Sequence, residues 1–172
     1  MKNVELVVPK RVVSKIMKDF LRAVAKSYGM NPDRVCLSQG SEFCAVIYDE
    51  PYTILDFRYN LTQLLERGDD YENGLGVVCA NMGQREKYAK GFSQITRVLL
   101  HEFGHHMTYY EIMKLYGAKE MARLYSEAKT NKAYVHVPCE WVATKWGLDW
   151  LRDAEHRKIA REFERKFWAC FE

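Results

Sequence analysis

Ser93-Gln94-Ile95-Thr96-Arg97-Val98-Leu99-Leu100-His101-Glu102-Phe103-Gly104-His105-His106 is the stretch whose reading decides the fold. Ile95, Val98 and Leu99 recur at helical spacing, and Ser93 stands where a side-chain N-cap belongs. Residues four apart on a helix lie one above the other, so His101 and His105 present two imidazoles to one point. Two such nitrogens can bind a single Zn²⁺ at about 2.0–2.1 Å. Glu102 follows the first histidine and projects beside that point, within reach of a water there. His106 lies roughly 100° further round the helix and so points away from an ion shared by the other two.

Two histidines do not close a catalytic zinc site, which takes three protein ligands. Glu140, in Pro138-Cys139-Glu140-Trp141-Val142-Ala143, is the leading candidate for the third. Pro138 suits the first turn of a helix, the carboxylate leaves that turn, and Ala143 leaves room for another helix to approach. A first-turn acid is also favoured simply by the helix dipole. His136 and Asp149 are the alternatives. With Glu140 as ligand, His136 or Tyr134 becomes a candidate for stabilising an oxyanion, as does Tyr109.

Working outward, Pro9 opens a helical stretch to about Tyr28, with Val12, Val13, Ile16, Met17, Phe20, Leu21, Val24 and Ala25 on one face. Gly29 ends it, and Asn31-Pro32-Asp33 is turn chemistry. Phe43 to Tyr48 and Tyr52 to Tyr59 read as extended segments joined in a hairpin through Asp49-Glu50-Pro51. Leu61 to Glu66 suggests a short helix, and Arg67 to Gly76 a loop. Leu75 to Ala80 is a β-prone run able to serve as an edge strand for an extended peptide. Beyond the metal-helix candidate, helices are expected over Ala118 to Ala128, from Pro138 through Trp150, and over Ala154 to Phe171. Ile159, Phe163, Phe167 and Phe171 form an apolar stripe on the last of these. The expected fold is α+β: a small, mostly antiparallel sheet packed on the HExxH helix, followed by C-terminal helices, in one domain over residues 1–172.

Bulk properties narrow the function. A net charge of +3 gives no electrostatic footprint for nucleic acid. Met1 to Lys10 lacks the apolar core of a signal peptide, and no run has the ~20 apolar residues of a membrane span. The 5 cysteines are scattered without a CxxC pair, which argues for reduced thiols in a cytoplasmic protein. Neither a nucleic-acid nor a membrane partner is expected.

The pair His101-Glu102-Phe103-Gly104-His105 and Glu140-Trp141-Val142-Ala143 resembles the gluzincin arrangement. The short helix–sheet–helix–helix order is similar to that of minimal gluzincins, including the ImmA/IrrE-type metallopeptidases. The resemblance spans about residues 75–152. It implies a zincin-like fold, zinc as cofactor, His101, His105 and Glu140 as ligands, and Glu102 as general base in peptide-bond hydrolysis. The helix after Glu140 departs from the family pattern by carrying Trp141, Trp146 and Trp150. The expected function is therefore a zinc-dependent metallopeptidase acting on a peptide or protein through a metal-activated water. The alternative is a zincin-fold regulatory or binding module, of phage or mobile-element origin, with a structural metal.

Overall fold

The computed structural model describes residues 5–40, 44–47, 54–61, 91–131 and 137–171, with backbone alone at 129–131. Helix α1 (Lys10–Ser27) leads through a 3₁₀ turn (Pro32–Arg34) into strand β1 (Val35–Gln39). Strands β2 (Cys44–Val46) and β3 (Leu55–Tyr59) follow, then helices α2 (Gln94–Tyr116), α3 (Ala118–Asn131), α4 (Pro138–Trp150) and α5 (Ala154–Trp168). Among the described residues the architecture is α+β: five helices and a three-stranded sheet. No described helix is long and apolar enough to cross a membrane.

The helical spacings hold except at Val12, which was expected on the buried face of α1 and is 37% exposed because it lies about 100° round the helix from Val13. In α1, Val13, Met17, Phe20, Leu21, Val24 and Ala25 are all buried, while the intervening charged side chains face outward. Asn31 opens the 3₁₀ turn by accepting from the Asp33 amide at 2.9 Å. In α5, Phe163 and Phe167 are buried, and Asp153 caps the helix through the amides of Glu155 and His156. Phe171 lies beyond that helix and bridges to Leu6 instead. Helix α3 runs on to Asn131, three residues past its expected end at Ala128, because Thr130 and Asn131 carry no backbone block to helical geometry.

Strand β3 is the middle of the sheet. Leu55, Phe57 and Tyr59 face inward with at most 3% exposure, alternating with Asp56 and Arg58. β2 pairs with it antiparallel, while the connection expected through Asp49-Glu50-Pro51 lies outside the described residues. β1 pairs with it parallel, from Val35 opposite Leu55 to Gln39 opposite Tyr59. The sheet is therefore mixed, which corrects the expectation of a mostly antiparallel one. The chain reverses into β2 and again into β3, so β3 runs in the direction of β1 and inserts between its two predecessors. The alternation of Val35 and Leu37 was the trace of β1 in the sequence.

The main core joins the two halves. α1 and α5 meet through stacked Phe20 and Phe163, with ring centroids 4.4 Å apart. The sheet meets α2 through Phe57 and Phe103 at 5.8 Å, and Phe103 stacks on Trp146 of α4 at 5.3 Å. Phe103 thus roots α2 between sheet and α4 from inside the HExxH motif itself. Trp146 and Trp150 pack inward, whereas Trp141 and Trp168 are each 41% exposed. A smaller cluster of Ile112, Met121, Ala128, Val137 and Cys139 lies under α3, with Tyr125 and Leu124 against it. Gly117, at a positive φ of 78°, lets the chain turn between α2 and α3.

The N-terminus of α2 is secured from outside the helix. Ser93 occupies the cap position with extended backbone, but its hydroxyl makes no cap hydrogen bond. The Glu164 carboxylate of α5 instead accepts from the Ser93 amide and, at 2.6 Å, from the Thr96 hydroxyl. The segments read as Leu61 to Glu66, Arg67 to Gly76 and Leu75 to Ala80 lie outside the described residues beyond Leu61.

Candidate metal centre

Among the described elements, helices α2 and α4 make the most extensive contact, and a glycine makes it possible. A Cβ at Gly104 would stand 2.3 Å from the Ala143 carbonyl oxygen and 2.9 Å from its Cα. Backbone therefore lies on backbone, and side chains next to the crossing or about one turn before it meet across it. Those side chains are His101 and His105 from α2, and Glu140 and Thr144 from α4.

Glu140 Oε2 lies 3.1 Å from His101 Nε2 and 3.5 Å from His105 Nε2, and the two Nε2 atoms are 3.1 Å apart. Three donor atoms thus form a nearly equilateral triangle. Ligands held about 2.0–2.1 Å from a tetrahedral zinc stand roughly 3.3 Å apart, so the triangle has the size of one face of that polyhedron. Two imidazole lone pairs facing each other this closely repel unless a proton or a cation lies between them. Two imidazoles and a carboxylate at this spacing are a donor set that fits a divalent cation.

Both nitrogens of His101 are held by α4. Nε2 faces Glu140, while Nδ1 lies 3.0 Å from Thr144 Oγ1, one turn further along the same helix face. With Nδ1–H donating to the Thr144 hydroxyl, Nε2 keeps its lone pair for a metal. His101 is fully buried; the His105 side chain retains 13% exposure and marks the solvent side of the site. The second oxygen of Glu140, Oε1, accepts from the Tyr125 hydroxyl of α3 at 2.7 Å.

Electrostatics follow from burial. Desolvation opposes the Glu140 carboxylate, yet when His101 and His105 carry protons on Nε2 they donate to it, outweigh the desolvation and hold the carboxyl well below the usual range. Burial likewise disfavours a His105 cation, but Glu140 and Glu102 beside it raise its basicity overall. Glu102 is pushed upward, chiefly by desolvation, despite the neighbouring histidines and a 2.8 Å hydrogen bond from the Ala45 amide of β2.

His101, Glu102 and His105 have ligand-capable atoms within 4.8 Å of one another. A single oxygen of Glu140 also faces both imidazoles, while Glu102 Oε2 accepts from the Ala45 amide. His106 is buried beside the site and turned from it: its Nε2–H donates to the Asp56 carbonyl at 2.8 Å, and its ring meets Phe57 edge-on. Asp149 is on the surface of α4, paired with Lys145 and Arg152. Tyr134 and His136 lie outside the described residues.

Two partners of the site escaped sequence reading. Thr144 had a usable signal, since it stands one turn beyond Glu140. Tyr125 had none, because only the folding of α3 against α4 brings it there. Comparison with known protein families, curated proteins and solved structures returns no match.

Proposed function

We propose that the chain is a zinc-dependent metallopeptidase of gluzincin type, with a zincin-like arrangement of sheet, HExxH helix and ligand helix. The observation that carries this reading is the meeting of His101 Nε2, His105 Nε2 and Glu140 Oε2 at 3.1–3.5 Å with the buried Glu102 carboxyl beside them. His101, His105 and Glu140 are the residues that hold the metal, which when bound acts as a Lewis acid and acidifies water.

Glu102 is the proton carrier. Its carboxylate takes one proton as a water oxygen adds to the peptide carbonyl carbon, and delivers it to the amine nitrogen as the C–N bond breaks. Desolvation, which raises its basicity, suits it to both steps. Among the described residues β2 is an edge of the sheet, and its Ala45 amide touches Glu102. An extended peptide laid along that edge would bring a backbone carbonyl close to the base. Free thiols at Cys36, Cys44, Cys139 and Cys170 suit a reducing, cytoplasmic setting.

The test is proteolysis by purified protein carrying one equivalent of zinc, with unfolded casein and a mixed peptide pool as substrates. Cleavage is expected, lost on chelation and in Glu102→Gln, with zinc content unchanged in the variant. Zinc-loaded protein that cleaves nothing would overturn the peptidase reading and leave a regulatory module with a structural metal.

A further inference from the structure

Glu140 is asked to present one oxygen, Oε2, to two imidazoles at once, and nothing in its own side chain fixes which oxygen that is. The terminal torsion of a glutamate is broad and roughly two-fold, so the carboxylate plane must be set by its surroundings. His101 and His105 grip Oε2. Among the described residues the remaining anchor is Tyr125, whose hydroxyl donates to Oε1 at 2.7 Å.

Tyr125 reaches the site from a different structural unit. The two histidines are rooted in the main core through Val98, Leu99, Leu100 and Phe103. Tyr125 packs with Leu124 against the small cluster under α3 that includes Met121 and Cys139. Cys139, immediately before Glu140, is buried in that cluster, and its thiol also bonds with Tyr125. The phenol ring is therefore held in place by packing, and its hydroxyl is aimed at the outer oxygen of the carboxylate.

We infer that Tyr125 is a positioning residue for the candidate metal centre, holding Glu140 by Oε1 so that a single oxygen is presented to the imidazole pair. The inference rests on the metal-site reading above. Loss of the hydroxyl frees the carboxylate to swing or to offer both oxygens, and partners of this kind typically contribute about 10–100-fold to metal affinity.

The test compares zinc affinity, by competition with a chromophoric chelator, in the full-length wild-type chain, Tyr125→Phe and Met121→Ala. Cobalt(II) spectra are recorded for each, because the visible bands of Co²⁺ report its coordination number. Tyr125→Phe is expected to keep the far-UV circular dichroism of the wild type, bind zinc at least ten-fold more weakly and change the cobalt bands. Met121→Ala loosens the same cluster but keeps the hydroxyl, and is expected to retain wild-type affinity and spectrum. Wild-type affinity and an unaltered spectrum in Tyr125→Phe would overturn the inference, as would an equal loss in Met121→Ala. A wild-type chain that binds neither metal overturns the metal-site reading itself, a result distinct from both.

Discussion

Gly104 and Ala143 touch backbone to backbone: a Cβ on the glycine would lie 2.3 Å from the alanine carbonyl oxygen. This contact sets the distance between the helix that carries both histidines and the helix that carries Glu140. Rigid backbone cannot yield as a flexible side chain can, so the spacing of the donor triangle is built into the helix crossing.

Gly104→Ala is therefore expected to push α2 and α4 apart. Alanine in mid-helix normally gains up to about 1 kcal/mol over glycine. Here overpacking reverses the sign, with a net loss of about 2–3 kcal/mol in urea denaturation and weakened zinc binding. A variant as stable as the wild type would show that the crossing can relax at little cost.

Removing any one of the three donors should abolish tight zinc binding. His101→Ala, His105→Ala and Glu140→Ala are each expected to elute from gel filtration without stoichiometric zinc by elemental analysis. In the wild type, zinc at 100 times its Kd should stabilise the fold by about 2.7 kcal/mol through mass action. The same addition should leave the Tm of Glu140→Ala unmoved; an equal rise in that variant would place the binding elsewhere.

Stability should fall on mild acidification because of His106. Burial first, and the neighbouring His105, depress its pKa from 6.5 to about 4, against the raising effect of its bond to Asp56. An unfolded chain protonates this ring near pH 6.5, the folded chain only near 4, so the unfolded state binds more protons in between. The contribution is complete above pH 6.5 and is lost as pH falls towards 4, amounting to about 3 kcal/mol. Denaturation midpoints measured across that range should drop for the wild type and flatten in His106→Gln, which keeps an N–H donor. Parallel slopes in the two proteins would assign the acid sensitivity to other groups.

Glu164→Ala should destabilise the start of α2. Its carboxylate serves the Ser93 amide and the fully buried Thr96 hydroxyl, both of which would be left without that acceptor. A loss of about 1–3 kcal/mol is expected. Hydrogen exchange should rise first at the amides of Gln94 to Arg97; uniform protection along α2 would argue that the cap is dispensable.

Much of the candidate site was legible because helical periodicity is a local property. His101 and His105 are four apart, Pro138 announces the helix that starts beside Glu140, and Ala143 signals close approach. The alternation of Leu55, Phe57 and Tyr59 likewise announced β3. The cap at Ser93 was placed correctly, but its chemistry was not, because the acceptor arrives from Glu164 far along the chain.

The sequence by itself determined that two imidazoles share one helix face with a carboxylate beside them, since neighbours within a few residues are constrained by backbone geometry alone. The tertiary structure alone decided that β1 runs parallel to β3, that Glu140 meets both histidines, and that Thr144 and Tyr125 hold the outer atoms of that meeting. Those contacts join residues remote in the chain. Their geometry depends on how α2, α3 and α4 bury their apolar faces, and burial leaves no periodic mark on which polar side chains finally touch.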